Sequence, residues 1–149
     1  MTSDEKILSA LQAQCAKREY CTSDIRRKAL ERCEGDVSRA DAIVASLKAD
    51  RFVDDVRYAS AFAREKASIT GWGPVKIRFA LRAKGLTDED IAEGLAEVDA
   101  ASAEDRLETL MRNKWKTLSD DPQGRLKLIR FALSRGYEYD IVKTIMSRI

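Results

Sequence analysis

Apolar residues recur along this chain every three or four positions, and almost nowhere every second position. In "KIRFALRAKG", Ile77, Ala80 and Leu81 fall on one face of a helix of 3.6 residues per turn, with Lys84 at its edge. Val75, Arg78, Phe79 and Arg82 fall on the opposite side. Reading every segment this way predicts helices at roughly 4–18, 22–34, 38–49, 54–69, 74–84, 87–98, 101–117, 122–135 and 138–148. Pro74 and Pro122 are the only prolines, and each is expected to open a helix. Alternating β-branched runs are missing. The pattern therefore predicts an all-α protein with no sheet.

The helices group in threes, one longer and two shorter, starting near Asp4, Asp54 and Ser102. A period of about 50 residues is that of stacked helical modules. The expected units are residues 1–50, 51–99 and 100–149. "KIRFALRAKGLTDEDI" in the second unit answers "KLIRFALSRGYEYDIV" in the third. Both carry Arg-Phe-Ala-Leu and then a basic residue with glycine (Lys84-Gly85 and Arg135-Gly136), the register slipping by one between the two landmarks. In the first unit Gly35 stands near the equivalent turn. These glycines fall where a helix ends and positive φ is useful. A unit of about 50 residues buries too little surface to be strongly stable alone, so stacking is expected to extend the core.

The pair Asp54-Asp55 raises the question of catalysis or metal binding. Adjacent side chains on a helix diverge by about 100°, so the two carboxylates do not converge on one ion or proton. Asp54 is instead placed to cap a helix. Val53 and Tyr58 are expected to staple that helix start, and Phe52 to plug the preceding helix pair. Thr87 with Asp90 reads as a second cap, and Ser102 and either Asp120 or Asp121 as further ones. Tyr58 and Phe62 share a face expected to be core. Trp72 and Trp115 are expected to be packed.

Composition narrows the chemistry. The chain has 149 residues, 44% hydrophobic and 35% charged, with a net charge of +2. No apolar run approaches a membrane span, and the N-terminus lacks the pattern of a signal peptide, so a cytoplasmic protein is expected. There is no histidine, which removes the commonest general base and metal ligand. Cys15, Cys21 and Cys33 are too widely spaced for a zinc site, and Cys33 reads as core. A P-loop, a GxSxG elbow and zinc spacings are missing. No enzyme, cofactor or metal is expected.

The net charge hides alternating blocks. Residues 64–84 hold six bases against Glu65, 88–108 hold nine acids against Arg106, and 110–135 hold seven bases against two acids. Bases recur on the middle helix of every unit, as Arg27 and Lys28, then Lys76, Arg78 and Arg82, then Lys127 and Arg130, with Arg135 nearby. Equivalent helices of a repeat array can line one side. With Arg64, Lys66 and Phe79, these residues are the candidate partner-binding set.

"RFVDDVRYASAFAREKASITGWGPVKIRFALRAKGLTDEDIAEGL" resembles the central signature of the RecX family of bacterial recombination regulators. The resemblance is carried by Phe52, Asp54-Asp55, Arg57-Tyr58-Ala59, Phe62, Arg64 and Lys66, then by Gly73-Pro74, Ile77, Leu81 and Lys84-Gly85. "REYCTSDIRRKAL" and "RFALSRGYEYDIV" resemble the flanking repeats. Trp72 departs from the pattern, standing where smaller or polar residues are common. The resemblance implies an elongated array of three three-helix repeats; a non-enzymatic monomer is expected. Such a protein binds RecA in the groove of the RecA–DNA filament and restrains its ATPase and strand exchange, with DNA binding also attributed to the family. The alternative is a helical module that binds DNA or RNA directly, without RecA.

Overall fold

The computed structural model describes residues 1–98 and 100–149; Asp99, one of the nine acids of the 88–108 block, lies outside the described residues. The described residues form nine helices and no strand. These are α1 (Ser3–Lys17), α2 (Thr22–Arg32), α3 (Val37–Ala49), α4 (Asp55–Ser68), α5 (Pro74–Ala83), α6 (Asp88–Leu95), α7 (Ala100–Leu118), α8 (Gly124–Ser134) and α9 (Tyr139–Met146). The largest departure from the expected spans is α6, which ends at Leu95 rather than near residue 98. No described helix is long and apolar enough to cross a membrane.

The chain divides into two compact units, one of Met1–Ala61 with Leu81–Gly94 and one of Phe62–Ala80 with Leu95–Ile149. In the first, α1, α2 and α3 pack together around Leu11, Ile25, Ala29, Cys33 and Leu47, all essentially inaccessible. Burying a Leu or Ile side chain contributes about 1.5–3 kcal/mol. The three cysteines are free and buried here, and burial pushes the thiols of Cys15 and Cys21 up, away from the reactive thiolate form. In the second unit, α7, α8 and α9 close around Leu107, Met111, Leu128, Val142 and Ile145.

The basic-glycine landmarks do the same job in each unit. In the first, the turn after α5 meets the start of α2: the Ser23 hydroxyl donates to the Lys84 carbonyl at 2.5 Å, and the Lys84 ammonium reaches Asp24 at 3.3 Å. In the second, the turn after α8 meets the start of α5: the Gly73 N–H donates to the Arg135 carbonyl at 2.7 Å, and the Val75 N–H to the Gly136 carbonyl at 2.9 Å. Gly136 turns with φ of 94°. The approach is so close that a Cβ on Gly73 would lie 2.4 Å from the Gly136 carbonyl oxygen.

Burial decides which of the two landmarks sets the repeat register. Ile25 and Ala29, Ile77 and Leu81, and Leu128 and Ala132 are the buried pairs of the three middle helices. Aligned on these, Gly85 and Gly136 coincide, and the Arg-Phe-Ala-Leu likeness is offset by one residue. Phe79 then corresponds to Arg130 and to Arg27, not to Phe131.

Several local expectations also change. Pro74 opens α5, but Pro122 lies in a turn before α8, which starts at Gly124. The Asp121 carboxylate accepts the Gln123 N–H at 2.8 Å, so it organises that turn rather than capping the helix, whose N-cap Gln123 makes no side-chain bond. Ser102 lies inside α7 and does not cap it. Tyr58 is buried, as expected for a core face, whereas Phe62 is only half-buried and stands edge-on to Trp72. Trp115 is half-buried against the second core.

Candidate basic-aromatic interface

The carboxylate pair is structural. Asp54 accepts the Arg57 N–H at 3.1 Å and caps α4, and that backbone bond holds its carboxyl below the usual range. Asp55 turns to α2, accepting the Thr22 N–H and hydroxyl. The two carboxylates serve two different helices. No group of carboxylates and cysteines among the described residues could hold a metal ion.

Around the loop from α4 to α5, in the second unit, several bases without an ion pair among the described residues gather on aromatic rings; Arg18 and Lys28 cover Tyr20 in the first unit in the same way. That loop is tightly fixed. The Trp72 N–H and the Thr70 hydroxyl both donate to the Lys66 carbonyl, at 2.9 and 2.6 Å. Arg135 donates from its guanidinium to the Thr70 carbonyl at 3.2 Å, and the Tyr137 hydroxyl donates to the Gly71 carbonyl at 3.3 Å. The result seats Trp72 between a lysine of the last turn of α4 and one of the first turn of α5. The Lys66 and Lys76 ammonium groups lie 4.9 and 4.7 Å from the indole centroid. Lys66 also lies 5.5 Å from the Phe62 ring. Beside the turn after α8, Arg135 and Lys114 both cover Phe131, at 5.2 and 5.5 Å.

Lys66, Lys76, Lys114 and Arg135 form no ion pair among the described residues, whose pairs involve other bases. Cation–π contacts hold such groups in place without neutralising them. Their charge remains available to an anion, and fixing two ammonium groups on one ring concentrates it. Trp72 also lines an apolar cleft of about 210 Å³ with Ala63, Ala67, Ile77 and Tyr137.

The other candidates are dispersed. Arg64 is exposed and pairs with Glu97 at 3.6 Å. Arg78 bonds Glu138 at 3.0 Å, Arg82 bonds Asp88 at 2.8 Å, and Lys127 bonds Asp121 at 2.5 Å. Arg27 stands 3.7 Å from Asp24, and Lys28 covers Tyr20 at 5.3 Å. Arg130 is exposed, with no ion pair among the described residues. Phe79 is exposed to 74%. Charge order along the sequence missed Lys114, whose partner Phe131 lies on another helix, and it missed Trp72 as the centre of the group. The only sequence signal for Trp72 is a large aromatic set between Gly71 and Gly73.

Fold and surface together define a helical-repeat protein that, among the described residues, presents bases without ion pairs on aromatic rings and holds no catalytic constellation. The family model for the RecX second three-helix domain matches residues 54–95, and that for the third matches residues 102–146. The regulatory protein RecX of Chromohalobacter salexigens is 30% identical over 132 residues, covering 89% of this chain and 85% of that protein. That of Clostridium botulinum strain Alaska E43 is 36% identical over 104 residues, covering 67% of this chain and 48% of that protein. The chain thus spans about half the length of such clostridial relatives. The crystal structure of RecX from Lactobacillus salivarius superposes with a TM-score of 0.84 at 19% identity, over 98% of this chain and 96% of that one. A second crystal structure of regulatory protein RecX gives 0.86 at 20% identity, over 97% and 72%. The chain belongs to the RecX family, whose members are regulatory proteins.

Proposed function

We propose that this protein regulates the RecA recombinase by binding the RecA–DNA filament, and that it performs no chemistry itself. Membership in a family of regulatory proteins supports the regulatory part. One observation carries the binding part: Lys66, Lys76 and Arg135 converge on the α4–α5 loop, fixed on or beside aromatic rings and free of carboxylate partners among the described residues. Such a group suits an anionic surface, either phosphate or an acidic patch of protein. A regulator of this kind biases the filament by binding one of its states more tightly than another.

The test is RecA's DNA-dependent ATPase, measured with the protein at a concentration too low to coat the DNA. Inhibition that survives there, and that is lost in the variant Lys66→Glu with Lys76→Glu, is the expected result. Inhibition abolished by excess DNA would instead favour direct nucleic-acid binding. The observation behind that second reading is Trp72, an aromatic ring set among bases as in surfaces that follow single strands.

A further inference from the structure

Phe79 is out of place. It is 74% exposed, on a helix whose apolar positions Ile77 and Leu81 are buried. In the register set by the buried pairs, the first and third middle helices place Arg27 and Arg130 there, both exposed. A single exposed apolar side chain is ordinary; what marks this one is that it stands where two sister helices carry arginine and that it continues into a second exposed apolar residue. Val75, one turn earlier on the same helix, is 41% exposed and extends the apolar strip. Beside the strip, α5 itself contains no acid and Lys76 has no ion pair among the described residues, while Arg78 pairs with Glu138 and Arg82 with Asp88.

We propose that Phe79, with Val75, is the apolar anchor through which this face grips a protein: it enters an apolar pocket rimmed by carboxylates on the protein surface of the RecA filament. This rests on the reading given above. One detail favours protein over nucleic acid: Val75 is aliphatic and offers no ring on which a base can stack. Anchors of this type, a central aromatic with a charged rim, account for most of the affinity of many interfaces.

Two variants test it. Phe79→Ser removes the ring; Phe79→Arg installs the residue of the sister helices. Both should fold with unchanged thermal unfolding, because the ring packs on little. Each should bind RecA filaments roughly tenfold or more weakly at fixed salt. Binding of Phe79→Ser to an oligo(dT) without RecA should equal that of the unaltered protein. Unchanged filament affinity in both folded variants would overturn the anchor and leave the regulatory reading standing. Equal losses of filament and oligo(dT) binding by Phe79→Ser would replace the protein pocket with a stacked base. If the unaltered protein fails to bind filaments, the regulatory reading and the anchor fall together.

Discussion

Asp55, in the first turn of α4, accepts the backbone N–H of Thr22 at 2.8 Å and its hydroxyl at 3.0 Å. The first N–H groups of a helix lack internal partners. The residue before Thr22, Cys21, supplies no side-chain cap. A carboxylate from α4 therefore completes α2, while its neighbour Asp54 completes α4 itself. Asp55→Ala should destabilise the protein by about 1–2 kcal/mol, and Asp54→Ala by about 1 kcal/mol. Amide exchange separates the two. Asp55→Ala should speed exchange at Thr22 and Asp54→Ala at Arg57. An unaltered Thr22 amide in Asp55→Ala would remove this link.

That contrast shows what the sequence could and could not disclose. The Asp54 cap was legible because its acceptor and donor are three residues apart, a spacing that helix geometry fixes. Asp55 meets a partner 33 residues away, and no local rule supplies that distance. The helices and the glycine turns were legible for the same local reasons. The repeat register is ambiguous by one residue in the sequence, because Arg-Phe-Ala-Leu and the glycine landmark recur at different offsets; only the buried pairs show that the glycines keep the register. The charge blocks identified surface but not free charge. Arg78 finds Glu138 at a separation of 60 residues, whereas Lys66 and Lys76 meet on Trp72 only because the loop between α4 and α5 folds back.

Acid should weaken the fold in a defined direction. The Asp54 carboxyl titrates below its usual value, chiefly because the Arg57 N–H bonds the ionised form. Glu108, bonded by Arg148 and Arg112, and Asp121, bonded by Lys127, move the same way. The folded state therefore holds fewer protons than the unfolded one near these values. Their contribution is complete above the unfolded carboxylate pKa, about 4, and is lost as pH falls through the lower folded values. Urea midpoints should be nearly flat from about pH 7 to pH 5 and fall below about pH 4. Asp54→Asn should be less stable at neutral pH and show a shallower fall. A fall of equal depth in that variant would exclude Asp54 as a contributor.

The glycines should rank by contact rather than by φ. Gly35 and Gly136 both have positive φ, 84° and 94°. A Cβ on Gly35 would meet nothing within 4 Å, but on Gly136 it would lie 2.2 Å from the Lys76 Cβ. Gly35→Ala should cost about 1–2 kcal/mol from backbone strain alone. Gly136→Ala should cost that and about 1–3 kcal/mol more, because the start of α5 must move. Thermal melts of the two variants provide the comparison. Equal losses would mean that the junction between this turn and α5 is looser than the hydrogen bonds of Gly73 and Val75 imply.

Trp72 provides a direct optical reading of the basic loop. The chain has two tryptophans, and Trp115 is half-buried against the second core. Trp115→Phe should be tolerated, since it keeps an aromatic ring of similar burial, and it leaves Trp72 as the sole indole emitter. Lys66 and Lys76 sit within 5 Å of that indole. An anion that draws either ammonium off the ring changes the local field and hence the emission. Titrating this variant with oligo(dT) or with RecA filaments should shift or quench its fluorescence, and added salt should reverse the effect, since screening weakens such contacts. In the background Lys66→Glu with Lys76→Glu, the response should vanish while the unfolding transition persists. A full response in that background would move the anion contact away from Trp72. The same measurement made on Phe79→Ser should retain the oligo(dT) response, because the ring of Phe79 acts on a protein surface and the lysines on charge.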